Sequence, residues 1–401
     1  MKYNPTLPSI RLLHILLLFG LVMTLGACMK QIEHPPLDVN FLPSKGSFIS
    51  KDGDQITFDE IISMSVGKDY ILVGEGHKNI WDHKIQQQLF SALAESETPP
   101  SLGLEMVAVD MQSVLDNFYA GTLKTDDLVE KLQWSTKWGY PFSLFKPLFE
   151  IASEQSLPVG GLNVPTRVTR KISKEGIDAL SDEEKAFLPS EIVPPSKEQL
   201  EFLDMVFAQH ESKDAEDISQ RDQFRLVQSI WDSKMAEEAV ALRKKHDKPV
   251  LIIAGAGHVE NGWGIARRLR QFDPEANILI LMPWRGGAFY PEEGDAFFYC
   301  PDTYESRMGA TLSTTGRGGL LVERVKRDSR AAKAGLRPGD ILVEAAGISL
   351  DHLFSLHMAG AKVHRDDDEL VFVVLRGTDK FSVNMGKLGQ KKPKAHPDVE
   401  K

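Results

Sequence analysis

The chain has 401 residues, 42% of them apolar and 26% charged, with a formal net charge of −10. That composition describes a globular protein with room for one large and one small domain, whose core needs no staples. The acidic balance, with no basic tract and no zinc-ribbon spacing, argues against nucleic acid and against anionic lipid as the main ligand.

Lys2 and Arg11 flank a short n-region, and Leu12 to Leu25 is an apolar run too short to span a bilayer comfortably. It reads as the core of a secretory signal over residues 1–27. The run ends in Leu25-Gly26-Ala27-Cys28, which resembles a bacterial lipobox. The resemblance implies cleavage before Cys28, acylation of its thiol and a mature charge of −12. A plain signal peptide or an uncleaved anchor are the alternatives. By the same family rule, Met29 in place of Asp favours the outer membrane, so the expectation is a lipid-anchored protein of the bacterial cell envelope. Residues 28–50 are polar and contain prolines, as a tether would. With Cys28 acylated, Cys300 has no partner within the chain and reads as a small buried hydrophobe.

From about residue 55, short apolar runs alternate with helical patterns, the signature of a mainly parallel sheet flanked by helices. Strands are expected at Tyr70 to Val73, Pro100 to Leu104, Leu157 to Leu162, Pro249 to Ala254 and Asn277 to Leu281. Helices are expected at Asp82 to Ala94, with apolar Ile85, Leu89 and Leu93, and at Ala108 to Phe118. Residues 167–245 show helical periodicity and no clear strand, which reads as a helical insertion within an α/β domain spanning 51–300.

The polar residues fall at strand ends: Glu75 and His77, Glu105, Asn163 and His258. In an open α/β sheet, ligands bind beyond the carboxyl ends of the strands, so four distant segments are aimed at one place. Gly74, Gly76, Gly255 and Gly257 permit tight turns and close approach of backbone to a ligand. Taken singly, each histidine is as readily a satisfied turn residue, Glu105 a helix cap and Asn163 a turn former. His83, one turn into a helix, is open between the two readings. Together, Glu75, His77 and His258 are candidate metal ligands, and with Glu105 a candidate catalytic set.

Trp134, Trp138, Phe142, Phe145 and Phe149 recur every three or four residues, as on the core face of a helix. Gly139-Tyr140-Pro141 interrupts that helix and leaves a phenol at the break. An apolar wall with one polar tip suits a flat macrocycle, and tyrosine and histidine both ligate haem iron. Tyr140 is therefore a candidate ligand, with Trp138, His77, His258 and Asn163 as further cofactor-binding candidates.

In order along residues 55 to 285, GEGHKNIWDHKIQQQLFSAL, GLEMVAVDMQSVLDNF, WSTKWGYPF, GLNVP, WDSKMAEEA and IIAGAGHVENGWGIARRL resemble the ChaN family of bacterial lipoproteins, within the haem-binding uptake and Tiki-like superfamily. The resemblance implies an α/β domain with a small helical subdomain, haem as cofactor and a part in iron acquisition. The wider superfamily is similar at the GExH and GxxH turns, where some members are metal-dependent peptidases and others esterases. That leaves a divalent metal and a hydrolase as the rival reading, with Glu75, His77, Glu105 and His258 in the site.

The C-terminal stretch GGLLVERVKRDSRAAKAGLRPGDILVEAAGISL resembles a bacterial PDZ domain, here residues 301–388, with a final strand at Leu370 to Leu375. The resemblance implies that Met308, Gly309, Ala310, Thr311 and Leu312 belong to the loop whose free backbone N–H groups receive a protein's terminal carboxylate, the peptide then adding to the adjoining sheet edge. A domain that only packs on its own chain, or a scaffold whose other site is vestigial, is the alternative. Residues 389–401 are polar and read as a disordered tail. A homo-oligomer is allowed and not specified.

Overall fold

The computed structural model describes residues 44–210, 218–286, 289–315, 318–351 and 353–388. The signal segment, Cys28 and the tail at 389–401 lie outside the described residues. Eight strands form the first sheet: β1 (Phe48–Ser50), β2 (Gln55–Ile56), β3 (Tyr70–Glu75), β4 (Ser101–Ala108), β5 (Val159–Asn163), β6 (Val250–Gly255), β7 (Ile278–Trp284) and β8 (Ala296–Tyr299). Their order is β2-β1-β8-β7-β3-β6-β4-β5. Pairing is parallel from β8 through β5 and antiparallel only at β1 and β2.

Helices cover both faces, so the central strands are apolar on both sides and read as continuous runs. Along β3, Ile71 and Val73 join one core with Leu89, Phe145 and Phe149, while Tyr70 and Leu72 join the other with Met235, Ala239 and Leu269. The helical insertion contributes the helices Thr166–Glu175, Lys197–His210 and Ile218–His246. None of the described helices is long and apolar enough to cross a membrane.

Two expectations need correction here. Residues 48–50, expected within the tether, pair with β8 as a sheet strand, because Phe48 and Ile49 are buried in the cores on either side. Glu105 does not follow its strand but lies inside β4. The ladder with β5 slips between Leu104 and Ala108, a bulge that turns Glu105 out of the regular pairing.

A second, antiparallel sheet holds β9 (Thr303–Glu305), β10 (Ala310–Thr314), β11 (Leu320–Val325), β12 (Ile341–Ala345), β13 (Ile348–Ser349), β14 (Glu369–Arg376) and β15 (Asp379–Lys387), in the order β15-β14-β12-β11-β10-β9 with β13 on β12. Its core is separate and includes Leu312, Val322, Leu342 and Phe372. The expected peptide slot is not open. β10 is paired on one side with β11 and on the other with β9, where Thr311, Leu312 and Ser313 face Glu305, Tyr304 and Thr303. The Gly309 N–H donates to the Ser306 carbonyl and the Ala310 N–H to Ser306 Oγ. Met308, Ala310 and Leu312 are buried in the domain's own core. The chain's own strand thus stands on the edge where a peptide would add.

The turn after β3 is tied to the start of the second sheet. Asp82 accepts the Gly76 N–H at 2.8 Å and holds Arg285 through two bonds of 2.7 and 2.6 Å, and Arg285 donates to the Cys300 carbonyl. The Asn79 amide donates to the Pro301 carbonyl while its oxygen caps the helix Ile80–Ala94 at Trp81. The Asp82 side chain is fully buried, so Asp82→Asn leaves Arg285 only the exposed Asp302, 3.5 Å away, as a counter-charge. Urea titration should show a loss of about 3 kcal/mol, the range for breaking a buried pair.

Candidate functional site

β3 and β6 are register partners up to Glu75 and Gly255. Glu75 is buried at the strand end, with one oxygen 2.9 Å from His77 Nδ1 and the other accepting from Gln86 Nε2 at 2.6 Å. His83 stands behind this pair, its Nδ1 on Gln86 Oε1 at 3.0 Å and its ring edge-on to Phe145. It supports the site from inside the helix and does not line the cleft.

Gly255 is required by space. A Cβ there would stand 2.8 Å from His77 Cε1 and 3.5 Å from Glu105 Oε2. The same residue's N–H donates to Glu105 Oε2 at 2.6 Å, which fixes the bulged carboxylate across from the imidazole. Gly257, by contrast, has room for a side chain. Gly264 does not, because a Cβ would meet the His258 carbonyl oxygen at 2.2 Å.

His258 follows β6 in a one-turn helix, Ala256–Val259. Its Nδ1 is 2.6 Å from Asp232 Oδ1, and its Nε2 is 3.7 Å from Glu105 Oε1. Asp232 comes from the long helix of the insertion, where Gln199 Nε2 donates to its second oxygen at 2.9 Å and Arg268 lies 3.4 Å away. Two histidines, each with Nδ1 held by a carboxylate, therefore flank Glu105 and leave Nε2 as the working nitrogen. Burial opposes protonation of His258, but Glu105 and the hydrogen-bonded Asp232 outweigh both burial and Arg268, and its pKa is pushed up to about 9. Burial also opposes the charge on His77, and the Glu75 bond with the Glu105 field carries its pKa above the ordinary value.

The aromatic segment breaks as expected, into helices Trp134–Lys137 and Phe142–Glu154 with Gly139 at φ +86° between them. Tyr140 and Trp138 at that break meet the His77 ring at 5.3 and 4.8 Å and each other at 5.4 Å. Asn163 turns its oxygen to the N–H of Val164 and lines a groove beyond Glu105.

The metal set expected from Glu75, His77 and His258 does not form. Both Glu75 oxygens are spent on His77 and Gln86, and His258 is held between Asp232 and Glu105. Among the described residues no group of three or more His, Cys, Asp and Glu could hold a metal ion. Asp232, Gln86, Gln199 and Arg268 were not anticipated. Asp232 carries no sequence signal, since the buried residues around it on the helix mix polar Ser229, Ser233 and Lys234 with apolar Ile230, Met235 and Ala236.

Fold and site define an α/β protein whose polar groups gather at the carboxyl edge of a parallel sheet, beside an aromatic rim. Residues 61–269 match the model described as haem-binding uptake, Tiki superfamily, ChaN, and the chain belongs to that family. The structure titled cofacial heme binding to ChaN of Campylobacter jejuni aligns with a TM-score of 0.53 at 19% identity, over 65% of this chain and 98% of that one. The type III effector HopBA1 aligns at 0.38 and 10% identity, over 61% of this chain and 93% of its own. An HtrA3 PDZ domain bound to a phage-derived ligand aligns at 0.18 and 20% identity, over 21% and 84%. At those last two scores neither bears on the site. No curated protein matches.

The raised His258 value sets a pH window. The groups facing it are Glu105, Asp232, Arg268, His77 and Glu260. A folded pKa above the unfolded value gives stability that is complete below about 6.5 and lost as pH rises through about 9. Urea midpoints measured from pH 6 to 10 should fall across that window, and His258→Gln should flatten the fall.

Proposed function

We propose that this chain binds haem on the patch formed by Tyr140, Trp138 and His77, and handles it at the cell envelope in the course of iron acquisition. The observation that carries the reading is Tyr140: a half-buried phenol at a helix break, ringed by two aromatic side chains, its hydroxyl without a hydrogen-bond partner among the described residues. Bound haem supplies an iron that a phenolate oxygen can ligate. The residues fit that group: Tyr140 offers the oxygen, the Trp138 and His77 rings offer flat faces, and Lys78 lies 5.4 Å from the Tyr140 ring. His258 stands apart from this patch, on Asp232 and Glu105. Family membership supports haem as the ligand. The lipobox supports acylation at Cys28 and an outer-membrane anchor. The Ala-Gly-Leu and Pro-Gly-Asp motifs support a PDZ-like C-terminal domain, although its peptide slot along β10 is filled by β9.

A second reading rests on a separate observation, the two histidine–carboxylate pairs, His77 with Glu75 and His258 with Asp232, of which only the His77 ring is shared with the haem patch. They suit metal-independent hydrolysis: His77 Nε2 takes a proton from water, the water oxygen attacks an acyl carbon, and protonated His258 gives its proton to the departing oxygen. An ester panel should then show turnover that is insensitive to chelator and falls at least roughly 100-fold in His258→Gln. An inert panel removes this reading and leaves the first intact.

Haemin added to the mature protein should shift the Soret band. Tyr140→Phe, which keeps the ring and removes the oxygen, should abolish that shift, whereas His258→Gln should preserve it. Wild-type protein that leaves the haemin spectrum unchanged would sink the haem proposal.

A further inference from the structure

The first described residues lie against the second sheet. Lys45 pairs with Glu323 on β11, and the Gly46 N–H donates to the Tyr299 carbonyl at 2.8 Å. β11 ends at Val325, and the chain then turns through Lys326, Arg327, Asp328 and Ser329 into the one-turn helix Arg330–Lys333. A strand rises about 3.3 Å per residue, so Lys326 stands about 10 Å along from the Lys45 contact.

That turn is strongly cationic in a chain whose net charge is −10. Asp328 is the only acid between Lys326 and Arg337. Arg307 joins the group because its own turn is stitched to this one: the Lys326 N–H donates to the Gly309 carbonyl at 2.7 Å and the Ala331 N–H to the Met308 carbonyl at 2.9 Å. A Cβ on Gly309, at φ +85°, would stand 2.4 Å from Ser329 Cβ, so the two turns pack directly. Arg307, Lys326, Arg327 and Lys333 are exposed, and their side chains make no hydrogen bond or ion pair with any described residue. Arg330 is exposed too and donates to the Lys387 carbonyl, which leaves its charge uncompensated. Neighbouring acids are already engaged, Glu305 3.7 Å from Arg324 and Asp367 2.7 Å from Lys387.

The charge of the whole chain opposes an anionic surface at long range. At contact the balance changes, because the Debye length is about 8 Å at physiological ionic strength and a flat surface meets only the charges nearest to it. A protein partner would call for an aromatic or aliphatic anchor. Among the described residues no large apolar side chain between Arg307 and Arg337 is exposed. A headgroup layer asks only for charge. Position favours it as well: Cys28 precedes Lys45 by 17 residues, which span at most about 60 Å when fully extended.

We propose that the face carrying Arg307, Lys326, Arg327, Arg330 and Lys333 docks on anionic phospholipid headgroups. The face itself is argued from the fold; that it seats the second domain against the bilayer to which Cys28 is attached rests on the anchor reading. Its role is orientation, since an acylated Cys28 already supplies attachment.

The test uses the chain from residue 28 onward with Cys28→Ser, so that no acyl chain contributes. It is sedimented with vesicles of phosphatidylcholine alone and of phosphatidylcholine mixed with phosphatidylglycerol. Binding should require phosphatidylglycerol and disappear at high salt. Lys326→Gln/Arg327→Gln should lower the partition coefficient by roughly 25-fold, about fivefold for each cation lost near the surface. Lys51→Gln/Lys174→Gln, which makes the same change in net charge at exposed positions of the first domain, should leave it unchanged. Equal effects of the two double substitutions would overturn the proposal in favour of net charge alone. Failure to sediment with phosphatidylglycerol would overturn it and leave the face to an acidic protein. The comparison of the two vesicle types needs no variant to fold. Mass analysis of the unmodified protein decides acylation separately, so loss of the anchor reading is not mistaken for loss of the docking face.

Discussion

Glu75 and Gly255 are neighbours on parallel strands, and the space above Gly255 is where the His77 imidazole and the Glu105 carboxylate meet. That register constrains the rest of the site. A slip of one residue along β3 would reverse which side chains face each core, so the burial of Ile71 and Val73 on one side and Tyr70 and Leu72 on the other holds Glu75 in place. Packing energy spread over the whole sheet thus fixes one interatomic distance at its edge. The glycine matters for the same reason: a methyl group there would stand 2.8 Å from His77 Cε1 and force the imidazole to move.

Burying so many ionisable groups is unfavourable unless each is paired. Here nearly every oxygen and nitrogen is accounted for. Glu75 has His77 and Gln86, Asp232 has His258 and Gln199, and Glu105 has the Gly255 N–H. The buried exceptions include Arg268 Nε and Trp138 Nε1. Arg268 still donates elsewhere, to Gln199 and to the Val193 carbonyl. The Trp138 nitrogen has no such outlet: it is the only donor of its side chain, and it lies buried in a ring that packs against His77 and Tyr140.

The parallel sheet and its ordered edge were legible because strands buried on both faces are long apolar runs, and because glycine and histidine punctuate their ends. Glu75, His77 and His258 could be assigned to one place by topology alone. Glu105 was placed correctly in space but for the wrong local reason, since a bulge inside a strand has no periodic signature. The short strands at 48–50 and 296–299 escaped because three or four residues do not establish alternation. Asp232 escaped because the helix Ile218–His246 packs on several sides, which blurs the contrast between an apolar and a polar face. The peptide slot was misread because sequence resemblance describes a loop's residues without saying which neighbouring strand occupies its edge.

The same turn that carries His77 also anchors the second domain. Asn79 reaches the Pro301 carbonyl and Asp82 reaches Cys300 through Arg285, while Lys45 pairs with Glu323 on β11. These contacts converge on the residues that link the two sheets, so the turn cannot shift without loosening that link. Conversely, a displacement of β9, the strand immediately after the link, would pull on the carbonyls that Asn79 and Arg285 hold. The aromatic rim shares this mechanical connection, because His77 is its third ring. The aromatic rim, the buried acid–base pairs and the strand that fills the β10 edge are therefore joined through one short segment, Glu75 to Asp82, whose own conformation is set by the hydrogen bonds of Gly76, Asn79 and Asp82.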